Sequence, residues 1–97
     1  MNKALDKTAV KYVAFLRGIN VGGHHKVPMV ELRKEFEKMN FQNVVTLLNS
    51  GNIIFDGPQG DIAKLEVSIS KHLEKGFGFP IPAILRTADK INALFSN

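Results

Sequence analysis

Two segments of this chain carry apolar residues at helical spacing, and each is flanked by short β-prone runs. That alternation limits the fold more than any other feature. In the first segment Met29, Leu32, Phe36 and Met39 form one stripe, with Glu31, Lys34, Glu35 and Lys38 on the other side; a helix with one buried face reads this way. In the second, Ile62, Leu65, Ile69 and Leu73 repeat the spacing behind Asp61, a natural N-cap. Pro28 suits the first turn of the first helix, Asn40 its end, and Gly76 the end of the second.

Around the helices stand four candidate strands. Tyr12 to Arg17 is an apolar run that reads as a strand buried on both faces. Val44 to Leu48 and Ile53 to Phe55 are joined by Asn49-Ser50-Gly51-Asn52, a tight hairpin by composition. Asp56 to Gly60 breaks the chain, and Pro80 to Arg86 is a fourth strand whose two prolines argue for a sheet edge. Thr87 and Asp89 then open a third helix bearing Ile91, Leu94 and Phe95. The order β-α-β-β-α-β predicts an α+β, ferredoxin-like split, with a four-stranded antiparallel sheet, two helices on one face and an added C-terminal helix. Phe15, Leu32, Phe36, Leu65, Ile69 and Leu73 are the expected core.

At 97 residues this is one domain. Residues 1–10 form a segment that need not be ordered, and residues 11–97 the domain. The absence of cysteine excludes disulfides, cysteine-ligated zinc and thiol chemistry. Met1 to Val10 lacks the apolar core of a signal peptide, and no apolar run is long enough for a bilayer span, so the expected compartment is the cytoplasm, with no membrane partner. Thirteen basic against nine acidic residues leave room for an anionic partner. The lysines are scattered along the chain and most read as solvated surface.

The run Tyr12-Val13-Ala14-Phe15-Leu16-Arg17-Gly18-Ile19-Asn20-Val21-Gly22-Gly23-His24, followed by Lys26-Val27-Pro28-Met29, resembles the opening signature of a bacterial family catalogued as domain of unknown function 1697. Ser50 to Phe55 resembles its second motif. Phe77-Gly78-Phe79 and Arg86-Thr87-Ala88 resemble the lead-in to its middle. His25 stands where that pattern has asparagine, Asn49 where it has glutamine, and the chain ends near the family's midpoint. The resemblance implies the N-terminal, ferredoxin-like half of a longer protein and supplies no activity.

If strands one and two run up, strands three and four run down. The loop Gly18 to Val27, the hairpin Asn49 to Asn52 and the turn Gly76 to Pro80 then meet at one end of the sheet. Arg17, Asn20, His24, Lys26, Asn49, Ser50 and Asn52 are the candidate site there. Gly18 and Gly23 have the spacing of a phosphate loop, but His24-His25 replaces the Lys and Ser/Thr that such a loop needs. A looser anion site, using Arg17, Lys26 and backbone N–H groups, fits better. Neighbouring histidines rarely face one ion together and no carboxylate lies in the loop, so no metal and no cofactor are assigned. His72 reads as a surface or boundary residue of the helix, not a ligand. Ser50 with His24 is a nucleophile–base pair lacking an orienting acid, which leaves no catalytic residue assigned.

The leading expectation is therefore non-catalytic binding of a small anionic ligand or a protein partner at the loop end. One alternative is a fragment of an enzyme completed by a C-terminal half. Another is single-stranded nucleic-acid binding on the sheet face, which needs Tyr12, Phe15 and Phe55 to face outward; the third strand lacks the basic-glycine-aromatic signature of RNA-recognition domains. Both sheet faces read as apolar. The face away from the helices is then expected to be covered by a C-terminal half or by self-association.

Overall fold

Ala9–Leu16 forms β1, Met29–Lys38 α1, Gln42–Leu47 β2, Asn52–Pro58 β3, Ile62–Phe77 α2 and Ala83–Thr87 β4. The computed structural model describes residues 9–20, 23, 25–47 and 51–88. The strands form one sheet in the order β2-β3-β1-β4, and every neighbouring pair is antiparallel. This is the ferredoxin-like arrangement. The added C-terminal helix falls mostly outside the described residues, and Thr87, expected to open it, instead closes β4.

Helix boundaries follow local chemistry. Pro28, at φ −63°, caps α1 without a side-chain bond, and its carbonyl accepts from Leu32 N–H at 3.0 Å. Asn40 stops the helix in the left-handed region, at φ 69°. Asp61 caps α2 through the Lys64 N–H at 3.3 Å. The stop of α2 is Gly78, at φ 89°, rather than Gly76. Gly76 lies inside the helix, where an added Cβ would come within 3.2 Å of the Glu35 carboxylate.

Two sequence readings of the strands are corrected. Asp56, Gly57 and Pro58 continue β3 instead of breaking it, because β1 starts early enough to pair Lys11, Val10 and Ala9 with them. Residues 9 and 10 thus belong to the sheet and not to a leading segment. β1 is also not buried on both faces. Tyr12, Ala14 and Leu16 lie in the core beneath the helices, while Val13 and Phe15 are half-buried on the other face. Phe15, expected in the core, therefore lies outside it. Leu65 packs at its margin, and Leu32, Phe36, Ile69 and Leu73 are buried as expected.

The edge position of β4 holds, and α2 closes it. Ser70 Oγ accepts from Ala83 N–H at 3.0 Å, and the Glu66 carboxylate accepts from Leu85 N–H at 2.8 Å. These outward donors are thereby withdrawn from any incoming strand. At the opposite edge β2 carries a bulge between Gln42 and Val45. Asn43, at φ 52°, turns there and donates to Asp56 at 2.7 Å.

The helices are clasped to each other through Glu35. Its carboxylate takes Lys38 Nζ at 3.1 Å on its own helix and contacts His72 Nε2 of α2 at 2.8 Å. Glu35 thus pairs across the helices with His72, a boundary residue, instead of standing as solvated surface. Burial works to raise the Glu35 pKa, but the hydrogen bonds from Lys38 and His72 outweigh it and hold the carboxyl below its ordinary value of 4.5. A lowered native-state pKa means the clasp contributes fully above pH 4.5 and is lost as pH falls below that value. Urea unfolding at pH 6 and pH 3 is expected to show the wild type losing about 0.5–1 kcal/mol more than Glu35→Gln. Equal losses would mean the pair contributes nothing.

Candidate functional site at the loop end of the sheet

Three connections meet at one end of the sheet. Leu16 N–H donates to Gly51 O at 2.9 Å, and Arg17 N–H to Pro82 O at 3.1 Å. The His25 ring stacks on Phe79 with centroids 4.1 Å apart and planes 11° from parallel. The β1–α1 loop is thus tied to both the β2–β3 connection and the α2–β4 turn.

Asn20 gives that loop its shape. Its side-chain oxygen accepts from Val27 N–H at 2.8 Å, and its Nδ2 donates to Val27 O at 3.1 Å. Its own N–H donates to His25 O at 3.1 Å. These bonds close the loop at its base, and Val27 is buried beneath them. Closure needs left-handed backbone at Asn20, φ 55°, and His25, φ 51°. Asn and His are among the few side chains enriched in that region, so both residues suit the geometry the loop requires. His25 Nδ1 lies 3.3 Å from Gly18 O; a carbonyl only accepts, so Nδ1 is the donor in this contact.

Between the loop and the start of α1 lies an open cleft of about 310 Å³, lined by Asn20, Gly23, Lys26, Val27 and Pro28. Lys26 is exposed and is the single charged group among those lining residues. Pro28 has no side chain with which to cap the helix, so no side chain occupies the first-turn N–H groups of α1. Among the described residues Arg17 and Lys26 make no ion pair.

Of the seven residues singled out from the sequence, the structure brings Asn20 and Lys26 into this cleft. Arg17 is exposed at the same sheet end beside Pro82. Asn52 opens β3 and pairs with Phe15 and Leu47 on the open sheet face, not in the cleft. His24, Asn49 and Ser50 lie outside the described residues. Sequence reasoning missed Phe79, whose partner is 54 positions away, and it missed that Asn20 acts on the backbone. Among the described residues no three His, Cys, Asp or Glu groups gather in a way that could hold a metal ion. No described helix is long and apolar enough to cross a membrane.

Tyr12 and Phe55 are 1% and 0% exposed and stack on each other beneath the helices at 5.5 Å. Two of the three rings that nucleic-acid stacking would need therefore face inward.

Fold and loop end together define a ferredoxin-like α+β domain with a basic, glycine-bearing cleft at one sheet end. The chain belongs to the family described as protein of unknown function (DUF1697), whose model matches residues 10–97. It is similar to the solved structure of the conserved bacterial protein SP0830 from Streptococcus pneumoniae, at 32% identity and a TM-score of 0.74. The match covers 92% of this chain and 49% of that one, so this chain spans about half the length of that relative. No curated protein matches it.

Proposed function

We propose that the loop end binds a small anionic ligand without transforming it. The observation that carries this reading is the cleft in which Lys26 stands against the uncapped start of α1, in a loop held closed by the Asn20–Val27 bonds. A helix N-terminus offers unpaired N–H groups and a partial positive charge, and an anion satisfies both. Lys26 adds a full charge, and Arg17 extends the positive field along the sheet end. The described lining offers one cation beside the uncapped first turn of α1, a donor set that suits an anion.

Amide chemical-shift titration with inorganic phosphate and with mononucleotides tests it. The expected shifts fall on Gly23, Lys26 and residues 29–31. Lys26→Ala is expected to weaken binding about tenfold, the worth of one charge-assisted hydrogen bond. Unmoved cleft amides at millimolar phosphate would refute the site. A second reading, an enzyme site completed by further polypeptide, draws on the relative's greater length; it would be favoured if cleft amides respond only when the second half of a longer family member is supplied.

A further inference from the structure

The sheet face turned away from the helices has a residue arrangement that matches itself. The strand register sets its side chains in three rows across β2, β3, β1 and β4. Nearest the loop end the row reads Leu47, Asn52, Phe15, Ile84; the next reads Val45, Ile54, Val13, Arg86. The third is polar, with Gln42, Asp56 and Lys11. Two rows are thus mainly apolar. Val45 is 51% exposed and Leu47 38%, and the apolar residues of the two central strands are only half-buried. A contiguous apolar face of this kind marks an interaction surface.

We propose that this face joins two copies of the chain, packed sheet on sheet about a two-fold axis that runs parallel to the strands between β1 and β3. Such an axis exchanges β1 with β3 and β2 with β4 while keeping each row against itself. Lys11 then faces Asp56 of the second copy, Ile54 faces Val13, Leu47 faces Ile84, and Val45 faces Arg86. Within one copy Lys11 and Asp56 already pair at 2.9 Å, so the dimer closes a square of alternating charges at one rim. Asn52, set against Phe15, and Arg86, set against Val45, lack matching neighbours; Arg86 is exposed on the edge strand. The aligned crossing is one of the two ways in which sheets pack face to face.

Charge selects this axis and this occupant. A two-fold perpendicular to the strands would reverse the rows, press the central Lys11 against Phe15 and set Arg86 against Arg86 of the second copy. A strand added at the β4 edge is blocked, because Ser70 and Glu66 hold its outward donors. One four-stranded face is small for a protein interface, so a reversible, concentration-dependent association is expected.

Sedimentation equilibrium of the 97-residue chain, with thermal unfolding to verify that each variant folds, tests the proposal. A concentration-dependent monomer–dimer equilibrium is expected. Ile54→Lys, at the centre, is expected to weaken it on the order of 100-fold. Val45 is exposed enough in one copy to vary without cost to folding. Val45→Lys sets two cations together and weakens the dimer, whereas Val45→Glu meets Arg86 and does not. Asp56→Lys and Lys11→Asp are each expected to be monomeric alone and to dimerise when mixed. A monomer at every concentration overturns the proposal, and one that binds a hydrophobic dye assigns the face to a different occupant. Equal loss from both Val45 variants, or no association on mixing the charge variants, overturns the axis.

Discussion

Phe55→Ala is expected to remove about 3–5 kcal/mol of folding stability, a large part of what a domain of this size possesses. The ring is 0% exposed and sits on β3, next to the centre of the sheet. Its centroid lies 5.5 Å from Tyr12, 5.2 Å from Phe36 and 4.5 Å from Phe41. It therefore joins β1, α1 and the α1–β2 connection through one group of rings. Truncation to Ala leaves a cavity that those rings cannot fill together, since each is held by its own backbone. Phe15→Ala, on the half-buried face, is expected to cost about 1–2 kcal/mol. Urea unfolding monitored by circular dichroism ranks the two. A Phe55 variant no less stable than the Phe15 variant would place the core on the wrong face of the sheet.

That comparison also shows where the sequence was legible and where it was not. The helical stripes were clear because their polar residues differ sharply from their apolar ones, and the element order with its strand directions followed. β1 gave no such contrast. Tyr12, Val13, Ala14, Phe15 and Leu16 are apolar at both phases of a two-residue period, so alternation could not say which phase faces the helices. The structure puts the one ring with a hydroxyl inside, where Tyr12 OH donates to Pro58 O at 2.6 Å. Asp56-Gly57-Pro58 has turn composition, and tertiary pairing with β1 overrode it.

At the loop end, topology brought the right segments together because strand direction alone decides which connections share an end. What it could not supply was side-chain partnership. The His25–Phe79 stack and the bond from Leu85 N–H to Glu66 join residues far apart in sequence, and no local pattern encodes them. Asn20 carried the opposite lesson. Its polarity and place in a glycine-rich loop suggest a ligand contact, yet its amide is engaged on Val27 at both ends. It shapes the cleft that Lys26 charges.

Gly51→Ala is expected to cost about 2–3 kcal/mol, more than any other glycine substitution at this end of the sheet. Gly51 has φ +83°, and a Cβ there would lie 3.0 Å from Leu16 O and 3.4 Å from the Ile19 side chain. An L-residue in the left-handed region costs about 1–2 kcal/mol by itself. The contact with a backbone oxygen adds to this, because Leu16 is fixed by its N–H bond to Gly51 O at 2.9 Å and cannot swing aside as a flexible side chain would. Gly23, at φ +79° with open space for 4 Å around the place a Cβ would take, isolates the conformational part; Gly23→Ala is expected to cost about 1–2 kcal/mol. Urea unfolding of both variants measures the difference. Ile19 precedes Asn20, so displacing it also loosens the base of the β1–α1 loop, and the phosphate response at Lys26 is expected to weaken in Gly51→Ala although residue 51 does not line the cleft. A Gly51 variant that matches Gly23→Ala in stability would mean that β1 and the β2–β3 connection have room to part, and an unchanged phosphate response would separate the cleft from that contact.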